Sequence, residues 1–137
     1  MPRLVLSVPL AALVVATACT KPASQPQAAA PGVGWGVVVL YNQPKDTAAF
    51  EKYYAGTHIP LFVSHAQEIG VTRVDLIKFA PGADGKAPSL YREADLRWDS
   101  QEAMERGTAT AGFKAVAEDI PRFATGGFTV LVGKKTN

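Results

Sequence analysis

Phe50-Glu51-Lys52-Tyr53-Tyr54-Ala55-Gly56-Thr57-His58-Ile59-Pro60-Leu61 sets two tyrosines and a histidine on an otherwise apolar segment and ends in a proline. Phe50, Tyr54 and His58 recur at i, i+4 and i+8, the spacing that stacks side chains along one helix face. That face carries more hydrogen-bonding capacity than a simple core stripe needs. Histidine is also the side chain whose ordinary pKa lets it trade protons near neutral pH. The segment therefore reads as the wall of a small-molecule pocket. Gly56 and Pro60 argue against one straight helix. A break is expected between Gly56 and His58, with Pro60 in the first turn of a second helical piece, where its missing N–H costs nothing.

Working outward, Trp35 to Tyr41 is a β-branched apolar run and reads as a buried strand. Asn42 to Asp46 is a turn, and Asp46 or Thr47 can cap the helix that follows. The second helical piece holds Leu61, Phe62, Ala66 and Ile69 and ends at Gly70. Val71 to Phe79 is a second strand, followed by a turn-rich loop over 80–86. Ser89 to Trp98 is a third strand. Its alternation sets Leu90, Arg92, Ala94, Leu96 and Trp98 on one face and Tyr91, Glu93, Asp95 and Arg97 on the other. Asp99-Ser100-Gln101-Glu102 is a capping box opening a helix through Met104, which Gly107 and Gly112 weaken. Phe113 to Ile120 adds a turn or two before Pro121, and Phe128 to Val132 is the last strand.

The order β-α-β-β-α-β is the ferredoxin-like pattern, an α+β fold with a four-stranded antiparallel sheet and both helices on one face. The other face would be left apolar, from Val37, Val39, Val130 and Val132 or their alternates. A soluble domain seldom tolerates that. Pairing with a second copy, by default about a two-fold axis, resolves it.

The N-terminal residues read differently. Arg3 precedes an apolar stretch from Leu4 to Ala16, too short for a comfortable span of about 20 residues. Ala16-Thr17-Ala18-Cys19 then looks like a secretory signal ending in a lipobox, with the single cysteine as the lipidation site. The alternative is a plain signal peptide. On this reading residues 1–18 are a signal peptide and 19–34 a Pro-, Ala-, Gln- and Gly-rich tether. Residues 35–137 form one domain anchored in the cell envelope, on the default outer-membrane route because Thr20 follows the cysteine. The membrane is met only through the lipid. Fourteen basic against 12 acidic residues give a net charge of +2. The basic residues are scattered, so nucleic acid is not an expected partner.

Three stretches resemble the EthD family of dimeric α/β-barrel proteins. They are Phe50 to Leu61, with its aromatic pair and His-x-Pro; Asp95 to Ala103 at a strand-to-helix junction; and Pro121 to Gly133 in the closing strand. The match runs from Val37 to Gly133. It implies the ferredoxin-like dimer more strongly than it implies a reaction. EthD proteins are linked to ether degradation, and related families include cofactor-free oxygenases, cyclases, isomerases and heme-handling enzymes. The name reductase, common in the family, finds no dinucleotide fingerprint here.

His58 leads the candidate site residues. It can shuttle a proton or hydrogen-bond a substrate oxygen, or be a structural histidine at the helix break. Tyr54, one turn earlier, can orient His58 or a ligand, or be a core aromatic. Tyr53 points about 100° away and reads as packing or interface. Trp98, Phe123 and Phe128, with Phe62 from the second helical piece, are the substrate-binding candidates, and plain core is the competing reading. His65 lies outside any HxxxH or HExxH pattern, so no metal is expected. No cofactor is expected either, although His58 is of the type that ligates heme. Two functions follow. One is a cofactor-independent enzyme, an oxidoreductase or an isomerase or cyclase, acting on a small apolar or aromatic molecule with a carbonyl or hydroxyl. The other is a non-catalytic module that binds such a ligand.

Overall fold

The computed structural model describes residues 34–136. The signal segment, Cys19 and residues 19–33 of the tether lie outside them. Strand β1 (Gly34–Asn42) runs through the middle of a four-stranded sheet. It pairs with β3 (Leu90–Trp98) on one side and β4 (Phe128–Lys135) on the other, and β2 (Arg73–Lys78) lines the far edge of β3. Every pairing is antiparallel. This is the ferredoxin-like α+β architecture expected from the order of the elements.

Local chemistry places the helix ends. The Asp46 carboxylate accepts from the Ala49 N–H at 2.9 Å and starts α1 (Thr47–Tyr53). Gly70, at φ 70°, closes α2 (Ile59–Ile69) in the left-handed conformation that glycine adopts without strain. The Ser100 hydroxyl caps α3 (Gln101–Thr108), and Thr110 caps α4 (Ala111–Asp119), which runs into a short 3₁₀ turn (Ile120–Arg122).

The expected break at Gly56 to His58 does not occur. α1 and α2 are joined by a π turn, Tyr54–His58, in which the Ile59 N–H reaches back to the Tyr54 carbonyl. Pro60 gives the physical reason. In an α-helix its ring would crowd the Gly56 carbonyl four residues earlier and leave it without a donor. One extra residue in the turn widens the helix there and keeps the axis continuous.

The sheet also departs from simple alternation. Tyr41 pairs with Arg92 but Asn42 with Leu90, so β3 carries one extra residue. This β-bulge turns Tyr91 onto the helix side, where it is buried edge-on against Phe50 with ring centres 5.2 Å apart.

Trp98 anchors the core at one end. It is 1% exposed and donates its indole N–H to the Ile69 carbonyl at 3.0 Å. The helix above comes so close that a Cβ on Gly107 would lie 2.2 Å from that same carbonyl and 2.7 Å from the indole nitrogen.

The apolar outer face is built from the alternates. Val37 and Val39 are buried beneath the helices, so Val38 and Leu40 point outward, Val38 beside exposed Leu131 and Leu40 across Glu93 from exposed Ile77. Ion pairs share that face: Arg97 with Asp95 at 2.6 Å and Arg73 with Asp75 at 2.7 Å. On β4, Val130, Leu131 and Val132 alternate between faces, and all remain 48% or more exposed.

Candidate functional site

Between the sheet and the helices lies a cavity of about 100 Å³. Its floor is Val37, Val39 and Tyr41 of β1, Ala94 and Leu96 of β3, Val74 and Leu76 of β2 and Val130 of β4. Its roof is Tyr54 and His58 of the π turn, Ile59 and Phe62 of α2, and one face of α4 from Phe113 to Ala117, closed by Ile120. Tyr41, Tyr54 and His58 are the polar side chains in the wall, and no Lys, Arg, Asp or Glu is among them.

The i, i+4, i+8 stack is present. The ring of Tyr54 lies over Phe50 and over His58, both at centroid distances of 5.6 Å. His58 is 5% exposed, and its Nδ1 is 2.9 Å from Oδ2 of Asp119, itself 7% exposed. A carboxylate only accepts, so the nitrogen facing it carries the proton and Nε2 keeps a free lone pair. Burial holds the imidazole below its ordinary pKa, against the opposing pull of the Asp119 hydrogen bond. The histidine is thus neutral at pH 7, with its base nitrogen unclaimed.

Asp119 is held from a second side. The Tyr53 hydroxyl donates to Oδ1 at 2.7 Å, and the exposed Arg122 guanidinium is 3.7 Å from the same oxygen. Tyr53, expected as packing, does stack on Phe123 at 5.6 Å, but its hydroxyl belongs to the acid.

The Tyr54 hydroxyl is buried and has no hydrogen-bond partner. Burial pushes it up to about 12, and the nearby Arg92 pulls the other way. Arg92 lies 4.9 Å from the Tyr54 ring centre. It is fixed there by Glu51 at 2.6 Å, which also takes Lys78 at 3.0 Å and the Tyr91 hydroxyl. Arg92 thus polarises the tyrosine from behind without entering the cavity.

The structure gathers His58, Tyr54 and Phe62 in the cavity wall. Phe123 sits behind them, 4.6 Å from the His58 ring. Trp98 is core at the far end, and Phe128 packs on the core outside the cavity lining. Among the described residues, no three His, Cys, Asp or Glu side chains gather as a metal would require.

Asp119 is the residue that sequence reasoning missed. A signal was available: it is an acid at the C-terminal end of a helix, where the dipole disfavours negative charge. An acid in that position needs a compensating partner.

No family model matches the chain. It is 34% identical over 99 residues to an uncharacterized 11.0 kDa protein of the thcB-thcC intergenic region of Rhodococcus erythropolis, covering 69% of this chain and 88% of that protein. An EthD (ethyl tert-butyl ether D) family protein of Bacillus halodurans superposes with a TM-score of 0.66 at 24% identity, over 75% of this chain and 99% of that one. A dimeric protein of ferredoxin-like fold from Bacteroides fragilis superposes with a TM-score of 0.54 at 5% identity, over 74% and 95% of the two chains. The chain belongs to one family with the Rhodococcus protein, and its fold is that of the EthD proteins.

Proposed function

We propose that this chain is a cofactor-independent enzyme, of the isomerase, cyclase, oxygenase or reductase type, acting on a small apolar or aromatic molecule with a carbonyl or hydroxyl. His58 is the general acid/base, held by Asp119, with the Tyr54 ring stacked on it in the cavity wall. One observation carries this reading. A neutral histidine, oriented by a buried carboxylate at 2.9 Å, presents its other nitrogen to an apolar cavity. A base with that support and low solvation is suited to moving protons near neutral pH.

The working unit is a homodimer. An edge strand whose apolar residues are exposed on both faces, as Val130, Leu131 and Val132 are, invites a covering partner. The Bacteroides fragilis protein of the same fold is described as dimeric. We further propose that Cys19 carries the lipid that holds the domain at the envelope. Recovery of a Cys19→Ser protein in the membrane fraction would refute that anchor.

The test of the enzymatic reading starts with mass spectrometry of small molecules that co-purify with the domain. Turnover of what is found is then compared between the wild type and His58→Gln, which keeps an amide donor for Asp119. The expected result is a loss of about 10²–10⁴-fold in rate with the melting temperature held. Unchanged turnover removes His58 from the chemistry. The second reading, a module that binds without turnover, draws on the near-absence of polar groups in the cavity wall. It prevails if the ligand is released unaltered.

A further inference from the structure

We infer that Tyr53 is a positioning residue. Through Asp119 it sets which ring nitrogen of His58 is turned to the cavity. The inference rests on the acid/base reading of His58 and adds the residue that holds the pair from outside the cavity wall.

Three observations support it. The first is a closed circuit of four side chains. The Tyr53 hydroxyl donates to Oδ1 of Asp119 at 2.7 Å, and Nδ1 of His58 donates to Oδ2 at 2.9 Å. Phe123 packs on both rings, stacked on Tyr53 at a centroid distance of 5.6 Å and 4.6 Å from His58. It is itself buried. Turning either ring away from Asp119 would disturb a close-packed core aromatic.

The second is the winding of the helix. Tyr53 and His58 are five residues apart. In an α-helix, residues at that spacing point about 140° away from each other, which sets them apart from a shared carboxylate. The hydrogen bonds of a π turn join residues five apart, as the Ile59 N–H joins the Tyr54 carbonyl here. The wider turn carries Tyr53 and His58 round toward one side, where the end of α4 presents Asp119.

The third is which partner depends on the bond. Asp119 is buried, and a carboxylate has about four lone-pair sites to satisfy. The Arg122 guanidinium is 3.7 Å from Oδ1, beyond hydrogen-bond reach, and its side chain is exposed, so it is a weak partner. Tyr53 is only half-buried. The acid thus relies on the hydroxyl more than the hydroxyl relies on the acid. The same bond holds the Tyr53 hydroxyl above its ordinary pKa, so it remains a donor.

A carboxylate bonded at one oxygen pivots and offers its neighbour either oxygen. Bonded at both, it has one orientation, and Oδ2 stays in line with Nδ1. A fixed acceptor there keeps the proton on Nδ1 and the lone pair on Nε2. Released, the acid pivots and the ring proton is shared between the two nitrogens. No proton passes through Tyr53; it acts by orientation, as a supporting hydrogen bond behind a working side chain.

The test is Tyr53→Phe, which keeps the ring on Phe123 and removes only the hydroxyl. ¹⁵N NMR of the histidine rings in the folded domain at neutral pH, with no ligand added, reads the tautomer, and exposed His65 is the reference in the same spectrum. The wild type is expected to show His58 as a single tautomer protonated on Nδ1. Tyr53→Phe is expected to show a measurable population protonated on Nε2. Turnover of the co-purified molecule is expected to fall about 10-fold in kcat with KM held, the scale on which outer partners of an oriented histidine act. His58 signals that match the wild type in Tyr53→Phe, whatever its melting temperature, overturn the role of Tyr53. So does a wild type already protonated on Nε2. Altered ring signals with unchanged kcat confine Tyr53 to structure and overturn its part in the chemistry. Failure of the acid/base reading looks different: turnover is then unchanged in His58→Gln, while the ring signals still judge whether Tyr53 orients His58.

Discussion

His58 and Asp119 lie 61 positions apart in the chain and meet side chain to side chain at 2.9 Å beneath the helices. The carboxylate fixes which ring nitrogen is protonated, and so which one faces the cavity. Asp119→Asn keeps the shape and offers the imidazole an amide instead. If the amide N–H faces Nδ1, the ring proton moves to Nε2 and the base is lost. The expected outcome is a drop of at least about 10²-fold in any proton transfer at the site, with little change in ligand affinity. ¹⁵N NMR of the His58 ring checks the tautomer directly. A variant that retains the wild-type tautomer and full rate would show that Asp119 serves the fold alone.

Glu51 and His58 contribute to the acid limb of stability in separate windows. Glu51 is lowered from 4.5 to about 2, chiefly by its hydrogen bond from Arg92. A depressed carboxylate stabilises the fold above its ordinary pKa, and that contribution drains away as pH falls through 4.5 toward about 2. His58, also depressed, stabilises the fold above its ordinary value of 6.5, and that contribution fades as pH falls below it. Glu51→Gln is therefore expected to cost about 1–3 kcal/mol at pH 7 and to flatten the melting curve below pH 4.5. Thermal melts of both proteins across pH 2–7 test this. Parallel slopes would remove Glu51 from the acid transition.

Gly107→Ala probes the contact between helix and tryptophan. The new methyl group would meet the Ile69 carbonyl and the indole of Trp98, both rigidly held. Overpacking of this kind costs about 1–3 kcal/mol. A loss of stability in chemical denaturation, with the NMR signature of the Trp98 indole N–H shifted, is the expected result. Gly56→Ala is the control, since a Cβ there meets nothing within 4 Å.

Leu131→Lys places a charge on the exposed face of β4, and Val130→Lys one on its opposite face. In a homodimer that covers this strand, at least one of them is expected to yield a folded monomer by light scattering. The wild type is expected to be a dimer at micromolar concentration. A wild type that is monomeric at every concentration would refute the dimer.

Much of this architecture was legible because its signals are local. Asp46 and Gly70 announce helix ends through bonds that span three or four residues and sit where they were expected, whereas α3 is capped by Ser100, one residue later than the expected Asp99–Glu102 capping box. The Phe50, Tyr54, His58 spacing was enough to foresee the aromatic stack. What escaped depends on register or distance. The bulge that turns Tyr91 inward is a property of the pairing between β1 and β3, not of either strand alone. Asp119 gains its meaning only when the end of α4 docks beside the π turn. The apolar outer face was foreseen, but the phase of β1 and β4 was settled by which valines the helices cover.

The π turn has a consequence for how such a site comes and goes. A π turn is one residue more than an α-helix holds, and everything after it is rotated by that one residue, about 100°. Losing a single codon between Tyr54 and His58 would leave α1 and its aromatic anchor in place. It would turn Ile59 and Phe62 away from the cavity and take the imidazole off Asp119. It would also swing Ile69 of α2 out of the core and pull its carbonyl from the Trp98 indole. The residue count of that single turn thus sets the phase of the site and of the helix that seals the core together.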